Sequence, residues 1–228
     1  MRTEIHADPS SPLQDILDML PPGATVTLAP GIYRQKLQIR TPGLTLVGAG
    51  ADQTRLVYDD YAQKVHPDGR EYNTFRTWTL AVCADGVSLR DLSVVNDALS
   101  PREKGQEVAL SVYGDDFLME DCVLRSVFDG RSGGFAAAPA HALEQKEGFL
   151  FRNCAFTREE AVADGSIFLA RPWRDYGLAV FEACSYEAHI CPAGFDPWLD
   201  SGRDKTARFL ESPLRPGRVP WAKAQRES

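Results

Sequence analysis

The sequence predicts an all-β fold in which short parallel strands stack as successive coils. Two observations predict it. From Thr25 onward the apolar segments are brief, often apolar on both faces, and bounded by Gly, Pro and Asp, as in TVTLAPGIY and WTLAVCADGVSLRDLSVVN. A segment pattern also recurs at a nearly constant spacing along the chain, which is typical of repeat architectures.

The recurring pattern is a turn residue, an apolar pair, a polar pair, and then Leu or Cys followed by apolar residues. It occurs in GVSLRDLSVVN, DDFLMEDCVL, EGFLFRNCAFT and LAVFEACSYE, and its alignment places Leu92, Cys122, Cys154 and Cys184 at one equivalent position, with steps of 30, 32 and 30 residues. Such a recurrence predicts coils in which each strand lies on the same strand of the preceding coil. The three cysteines are therefore expected to form an internal ladder of small buried side chains.

The first 24 residues predict a short amphipathic helix. Ser11 to Gln14 has the form of a capping box with Pro12 at the first helical position, and Leu13, Ile16, Leu17 and Leu20 follow at helical spacing. Pro21-Pro22-Gly23 ends the helix. With one apolar face to bury, it suits the open end of a stack of strands.

We predict a single domain, with the helical cap in residues 1–24, coils in 25–211 and a tail in 212–228. The polar and aromatic loop 58–76 should stand out from the stack, either as a solvated excursion or as a ligand-binding arm. The tail is rich in proline and arginine, and we expect it to lie along the stack with Trp221 as its anchor.

Composition excludes several classes of partner. The 228 residues carry a net charge of −7 and no basic run, which argues against nucleic acid, and no segment is long enough to span a membrane. Five cysteines without a CxxC pair argue against a zinc site or a disulfide scaffold, so we expect no metal and no cofactor. No secretory signal precedes the fold, which predicts a cytoplasmic protein, or a secreted one if a leader was removed. The oligomeric state is left open.

Several pieces, in this order along the chain, resemble the pectin methylesterases (pectinesterases), bacterial type. They are APGIYRQKLQI, YDDYAQKVHPDGREYNTFRTWTL, GQEVALSVYGDDFLMEDCVL, KEGFLFRNCAFT, LARPWRDYGLAVFEACSYEAHICPAGFDPW, KTARF and GRVPWAK. The resemblance implies a right-handed parallel β-helix that removes methyl groups from galacturonate esters. Its expected partner is a pectin-derived oligogalacturonide.

The resemblance also assigns site residues. It implies that Gln106 donates to the oxyanion, that Asp129 acts as acid and base, and that Arg171 pairs with the nucleophilic aspartate. Trp173 matches a sugar-stacking tryptophan and Thr77 a substrate-side segment. From the residues alone, Gln106 equally fits a surface amide, Asp129 a turn residue, and Trp173 plain packing.

This chain departs from the family pattern at the nucleophile. Phe128 and Gly130 stand where the family has a second oxyanion glutamine and a threonine, and the family's VDFIFG string, which holds the nucleophilic aspartate, does not occur. The missing length is about one to two coils of 20 to 25 residues. Because each coil contacts only its neighbours, such a loss leaves the stack foldable.

Two functional interpretations follow. The first is a pectinesterase-like carbohydrate esterase that demethylates methyl-esterified oligogalacturonate with Asp129, or with Asp115 or Asp116 recruited differently. The second is a catalytically impaired β-helix relative that binds a sugar or a protein partner through the remaining cleft. The matched Gln106, Arg171 and Trp173 favour the first interpretation, and Phe128 with the absent VDFIFG string favours the second.

Overall fold

The fold is a parallel β-helix, as seen in a computed structural model that describes residues 3–98, 107–126, 134–146, 148–158 and 162–224. The longest sheet of the described residues has nine parallel strands, each paired with the equivalent strand of the next coil. Its strands, in spatial order, are β1 (Glu4–Ala7), β2 (Thr25–Leu28), β5 (Thr45–Val47), β8 (Ser88–Arg90), β11 (Phe117–Glu120), β14 (Phe149–Arg152), β17 (Leu178–Glu182), β19 (Arg208–Ser212) and β20 (Lys223–Ala224).

Two further faces complete the coils. The second face is a six-stranded sheet of β3 (Gly31–Tyr33), β6 (Thr54–Tyr58), β9 (Ser93–Asn96), β12 (Val123–Ser126), β15 (Ala155–Thr157) and β18 (Ser185–Tyr186). The third face carries β4 (Leu37–Ile39), β7 (Leu80–Val82) and β10 (Leu110–Val112), and then separately β13 (Gly134–Ala137) and β16 (Ile167–Ala170). The predicted all-β class and the stacking of equivalent strands are both confirmed.

The predicted cysteine ladder is present in the register of the second sheet. Val123 pairs with both Ser93 and Ala155, so the preceding residues Leu92, Cys122 and Cys154 occupy equivalent positions. All three side chains are buried. Burial raises the pKa of the Cys122 thiol to about 12, so this sulfur stays protonated. The ladder is therefore core packing.

Aromatic rings stack beside the cysteine ladder. The rings of Phe151 and Phe181, on adjacent strands β14 and β17, are nearly parallel, with centroids 5.1 Å apart. Phe195 and Phe209 extend this column, with ring centroids 5.2 Å apart, and Trp221 packs 5.8 Å from Phe209. The prediction that Trp221 anchors the tail is confirmed, whereas the return of the tail to the sheet as β20 was not foreseen.

The N-terminal helix forms as predicted, but the capping box does not. Helix α1 (Leu13–Met19) buries Leu13 and Leu17, and no side chain caps it from the expected position. The Ser11 hydroxyl instead accepts from the Asp8 backbone N–H (3.0 Å), because β1 already fixes this turn. The Leu13 N–H donates to Gln35 Oε1 (2.9 Å) of the neighbouring coil. A long-range amide thus replaces the local cap.

The third face is interrupted, unlike the other two. Strand β7 is fully buried between β4 and β10, whereas all three residues of β10 are only half-buried. Within the described residues β10 has no strand on its other side, and pairing resumes with β13 and β16. Isolated bridges to Ile190 and Phe195 then extend this face beyond β16. The third face therefore opens between β10 and β13.

Candidate active site

A cavity of about 480 Å³ occupies the break in the third face. The residues of β10 form one wall, Gly134 to Ala138 form another, and Phe149, Phe151 and Phe156 close its base. Its volume falls in the range of small-molecule sites, and its lining is mostly apolar with a few polar groups, which is the usual composition of such sites. The cavity exists because β10 and β13 do not pair.

Arg171 and Trp173 both line this cavity, as the resemblance predicts for site residues. They follow β16 directly, and their backbones continue its ladder: the Arg171 N–H donates to Ala137 O and the Trp173 N–H to Pro139 O, each at 3.1 Å. The register of β16 with β13 therefore fixes the positions of Arg171 and Trp173 at the cavity. The structure brings these two predicted residues together.

Four aromatic rings lie close together near this end of the cavity and form a unit that we call the aromatic cluster: Phe75, Phe135, Trp173 and Trp198. All of them except Trp198 line the cavity. The Trp173 ring meets Phe75 edge-on (centroids 6.1 Å apart) and lies 6.0 Å from Trp198. Trp198 also meets Phe135 edge-on at 6.1 Å. These rings offer flat apolar faces of the kind on which a pyranose can stack.

The Arg171 guanidinium lies among these rings and not against a carboxylate. Its central carbon is 3.7 Å from the Trp198 ring centroid, 4.3 Å from Phe135 and 5.0 Å from Trp173. Burial lowers the pKa of Arg171, and the charge of Asp196 opposes this shift. In the part of the chain that the structure describes, no carboxylate forms an ion pair with Arg171. The pairing with a nucleophilic aspartate that the resemblance implies is therefore not seen among these residues.

Thr77 does not reach the cavity. It is fully buried, and its hydroxyl donates to Thr74 O at 3.0 Å. Its neighbours Thr74 and Phe75, in the 3₁₀ turn Thr74–Arg76, line the cavity instead. We therefore transfer the expected substrate contact from Thr77 to Thr74 and Phe75, because only exposed atoms can touch a ligand.

The loop 58–76 is an arm that is fixed at both ends, and the turn at its C-terminal end, Thr74–Arg76, contributes Thr74 and Phe75 to the cavity. The Asn96 side-chain amide donates to Asp60 O (2.9 Å), Thr77 O (3.0 Å) and Val108 O (3.2 Å). One buried amide thus ties the start and the end of the arm to the segment that enters β10. Of the two interpretations of this loop, the arm that lines a site fits the structure.

A buried ion pair also holds the base of the arm. Lys36 Nζ lies 2.5 Å from Asp60 Oδ2, and the Asp60 side chain is fully buried. Burial lowers the pKa of Lys36, against the opposing effect of Asp60. The Lys36 ammonium also faces the rings of Tyr72 (4.4 Å) and Trp78 (4.6 Å). These contacts hold the arm in the position that brings Phe75 to Trp173.

Gln106 and Asp129 lie outside the described residues, so their predicted roles stay predictions. Gln106 immediately precedes Glu107, and the segment that contains Asp129 ends at Gly134; both Glu107 and Gly134 line the cavity. Phe128 and Gly130 also lie outside the described residues.

No group of three or more His, Cys, Asp or Glu among the described residues could hold a metal ion. No helix among them is long and apolar enough to cross a membrane.

Comparison with known proteins identifies the fold and a family that this chain resembles. A model of the family described as Pectinesterase matches residues 22–131. Over these residues the chain is similar to the pectinesterase family. Pectinesterase QRT1 of Arabidopsis thaliana is 26% identical over 92% of this chain and 69% of its own length, and Pectinesterase 31 of the same plant is 25% identical over 92% and 82%.

Solved pectin methylesterases share the fold of this chain. The enzyme from carrot matches with a TM-score of 0.63 at 19% identity, covering 99% of this chain and 88% of its own. PemA from Erwinia chrysanthemi matches with a TM-score of 0.61 at 19% identity, covering 99% and 93%. A pectin methylesterase in complex with a hexasaccharide gives 0.62 at 18%, with coverage of 99% and 93%. These likenesses establish the parallel β-helix.

The length of the alignments supports the predicted loss of coils. The match to Pectinesterase QRT1 extends over 268 positions, although this chain has 228 residues, so at least 40 positions of the alignment have no counterpart here. The predicted loss was about one to two coils. The family-model match ends at Arg131, two residues after Asp129, near the predicted site of the loss.

Sequence reasoning missed three members of the aromatic cluster. Trp198 and Phe75 lie in segments that were matched to the family, but only as parts of long strings, and Phe135 follows a glycine pair in a stretch without a match. An aromatic residue after Asp-Pro, as at Trp198, is a usable signal because that dipeptide forms a turn that presents the next side chain.

Proposed function

We propose that this protein is a carbohydrate esterase that removes methyl groups from methyl-esterified oligogalacturonate. One observation carries the proposal: Arg171, Phe75, Phe135 and Trp173 line a cavity at the break in the third face, bounded by the chain segments next to Gln106 and Asp129. The match to the Pectinesterase family model and the similarity to Pectinesterase QRT1 support it, as does the hexasaccharide complex of a structural relative.

Ester hydrolysis at this site needs a base, an oxyanion donor and later an acid. We assign the base to Asp129, which takes a proton from water as the water oxygen attacks the ester carbonyl carbon. The Gln106 side-chain amide donates to the oxyanion that forms. As the intermediate collapses, protonated Asp129 returns its proton to the departing methoxide, which leaves as methanol. The galacturonic acid product then loses its proton to solvent.

A single carboxyl group can serve this reaction because its two tasks occur in succession. Asp129 is ionised when it takes the proton from water and protonated when methoxide leaves, so no second carboxylate has to ionise beside it. Water then takes the part of the nucleophile that the VDFIFG aspartate has in the family pattern. Arg171 supplies positive charge to the cavity, which favours anionic groups in the ligand.

Asp115 and Asp116 do not fit the role of a substitute nucleophile. Asp115 accepts a hydrogen bond from the Gln145 side chain, and its backbone N–H donates to Asp85 Oδ1. Asp116 occupies a turn with φ of 53°. Neither residue is among those lining the cavity that the described residues form. Asp129 is therefore the carboxylate on which the proposal depends.

Methanol release from methylated trigalacturonate tests the proposal. Wild type should release methanol, and Asp129→Asn should lower kcat about 100- to 10,000-fold, since that is the usual contribution of a general acid–base. Asp52→Asn, an exposed aspartate in a turn near the N-terminal end, serves as the matched control and should leave kcat unchanged. Trp173→Ala should raise KM more than it lowers kcat. Absence of release by wild type, with sugar binding retained, would favour the non-catalytic binding protein.

A further inference from the structure

The cavity has a second end, which lies at the opposite end of β16 from Arg171. His189 lines the cavity there, and its carbonyl oxygen accepts from the Ile167 backbone N–H at 2.9 Å. Ile167 begins β16 and Arg171 follows its last residue, so the two lie about 13 Å apart along the strand at about 3.3 Å per residue. We call this region the histidine end of the cavity. Its lining residues are Leu124, Phe156, Val162, Ile167, His189 and Ile190.

The His189 ring has a buried nitrogen without a partner among the described residues. The residue is only 5% exposed, and its Nδ1 makes no hydrogen bond. His141, the other buried histidine, has the usual arrangement, because its Nδ1 accepts from the Leu178 N–H at 3.1 Å. Buried polar atoms of a folded protein almost always have a hydrogen-bond partner. A ligand in the cavity can supply the partner that the His189 Nδ1 lacks.

A ligand at the histidine end meets no free charge among the described residues. Burial lowers the pKa of His189, so the ring is neutral at neutral pH; the charge of Glu187 opposes this shift and that of Arg158 adds to it. Arg158 also lines the cavity, but its Nη1 is paired with Asp164 Oδ1 and donates to Val162 O, each at 2.6 Å. A charged ligand would therefore lose its hydration without gaining a counter-ion, and a neutral ligand is favoured.

The remaining surface of the histidine end is apolar and partly aromatic. The Phe156 ring meets Phe151 edge-on, with centroids 5.7 Å apart, and both rings line the cavity. Aromatic rings prefer such edge-on or offset contacts with other rings. A dry cavity of about 150 Å³ lined by Leu, Ile and Phe is enough to hold benzene. The cavity of about 480 Å³ therefore accommodates one six-membered aromatic ring at this end and leaves the Arg171 end free.

We propose that the histidine end binds a small neutral phenol, with its ring among the apolar side chains and its hydroxyl donating to the His189 Nδ1. When the proton of the neutral imidazole is on Nε2, Nδ1 is an acceptor and pairs with a hydroxyl donor. A phenol keeps its proton at neutral pH, because its pKa is about 10. This binding site goes beyond the proposed esterase and does not depend on it.

The experiment compares the binding of phenol and of toluene, which have nearly the same shape, by calorimetry at pH 7.5. Wild type should bind both probes. His189→Leu replaces the imidazole by an apolar side chain and leaves the phenol hydroxyl unpaired, so it should weaken phenol binding about 5- to 150-fold. The same variant should keep its affinity for toluene within about 2-fold, which also shows that the cavity is intact.

Three further variants locate the site. His189→Asn places an amide oxygen near the position of Nδ1 and should bind phenol more tightly than His189→Leu does. His141→Gln, at the buried histidine that does not line the cavity, is the matched control and should bind both probes as wild type does. Trp173→Ala changes the Arg171 end and should leave the phenol affinity within about 2-fold.

Three results would overturn the inference. The first is failure of wild type to bind phenol at millimolar concentration. The second is an equal effect of His189→Leu on phenol and toluene. The third is loss of phenol binding in Trp173→Ala but not in His189→Leu, which would place the phenol at the Arg171 end. Methanol release by the same proteins is a separate readout: its absence, with phenol binding that depends on His189, refutes the esterase alone.

Discussion

The nine-stranded sheet and the third face are built from the same coils, yet they differ in continuity. The sheet runs unbroken from β1 to β20, and its strands β8, β11, β14, β17 and β19 recur at steps of 30 to 32 residues. The third face opens between β10 and β13, and the cavity with Arg171 and the aromatic cluster lies there. Backbone pairing thus secures stability on one side and leaves room for a ligand on the other.

The largest expected contrast between the two regions concerns aromatic residues. Phe181 is fully buried in the nine-stranded sheet against Phe151 and Phe195, whereas Phe75 is 62% exposed at the cavity. Phe181→Ala should lower the free energy of unfolding by about 3–5 kcal/mol, and Phe75→Ala by less than about 0.5 kcal/mol. Denaturant unfolding of both variants measures the difference. Equal losses of unfolding free energy would contradict the proposed contrast between the nine-stranded sheet and the cavity.

A comparable difference in the loss of unfolding free energy is expected between a buried and an exposed ion pair. Glu211 of β19 forms a two-pronged pair with Arg218 (2.6 and 2.7 Å), and their side chains are only 2% and 5% exposed. Glu211→Gln leaves a buried guanidinium without its anion and should cost about 3–5 kcal/mol of unfolding free energy. Asp164→Asn, which breaks the pair with Arg158, is the control and should cost at most about 1 kcal/mol because Asp164 is 74% exposed.

For the cysteine ladder we expect a smaller loss of unfolding free energy. Cys154→Ser places a hydroxyl in an apolar row and should lower the free energy of unfolding by about 1–3 kcal/mol. Cys83, which is exposed, should tolerate the same change without measurable loss. A thiol reagent applied to the native protein should label Cys83 first and Cys122 and Cys154 last. Rapid labelling of the ladder would show that the coils open readily on this side.

The smallest expected effect is on the pH dependence of stability. Burial lowers the pKa of His141 and of His189, and for His141 the charge of Asp115 opposes this shift while that of Arg208 adds to it. The unfolded chain therefore binds more protons below about pH 6.5, so stability present above that pH is lost as the pH falls.

His141→Gln tests this effect because the glutamine oxygen can replace Nδ1, which accepts from the Leu178 N–H at 3.1 Å. Between pH 7.5 and 5.5 the variant should lose less unfolding free energy than wild type in denaturant unfolding. His6→Gln, at an exposed histidine, should show the full wild-type loss. Identical slopes for all three proteins would rule out His141 as a contributor.

Local regularity made the ladder predictable from the sequence, whereas the site depends on contacts between distant segments. The equivalence of Leu92, Cys122 and Cys154 follows from spacing alone, because each coil repeats one local pattern. The Ser11 cap failed because Gln35, 22 residues after Leu13, supplies the acceptor for the Leu13 N–H. Thr77 was placed at the substrate because the family match identifies a segment and cannot decide which of its side chains faces inward.

Arg171 and Trp173 were found through the family resemblance, and their positions at the cavity depend on the register of β13 and β16. That Arg171 lies among aromatic rings instead of beside a carboxylate could not be read from the sequence. This position of Arg171 depends on Trp198, which is 27 residues further along the chain and lies in an unusual left-handed turn. The absent VDFIFG string agrees with the lack of an ion pair between Arg171 and a carboxylate among the described residues.

A crystal structure of Asp129→Asn with bound methylated trigalacturonate tests most directly whether the break in the third face is the active site. We expect a sugar ring on Trp173 and its methyl ester between β10 and β13. Sugar bound anywhere else would contradict it. So would a cavity that stays empty at a ligand concentration that saturates methanol release by wild type.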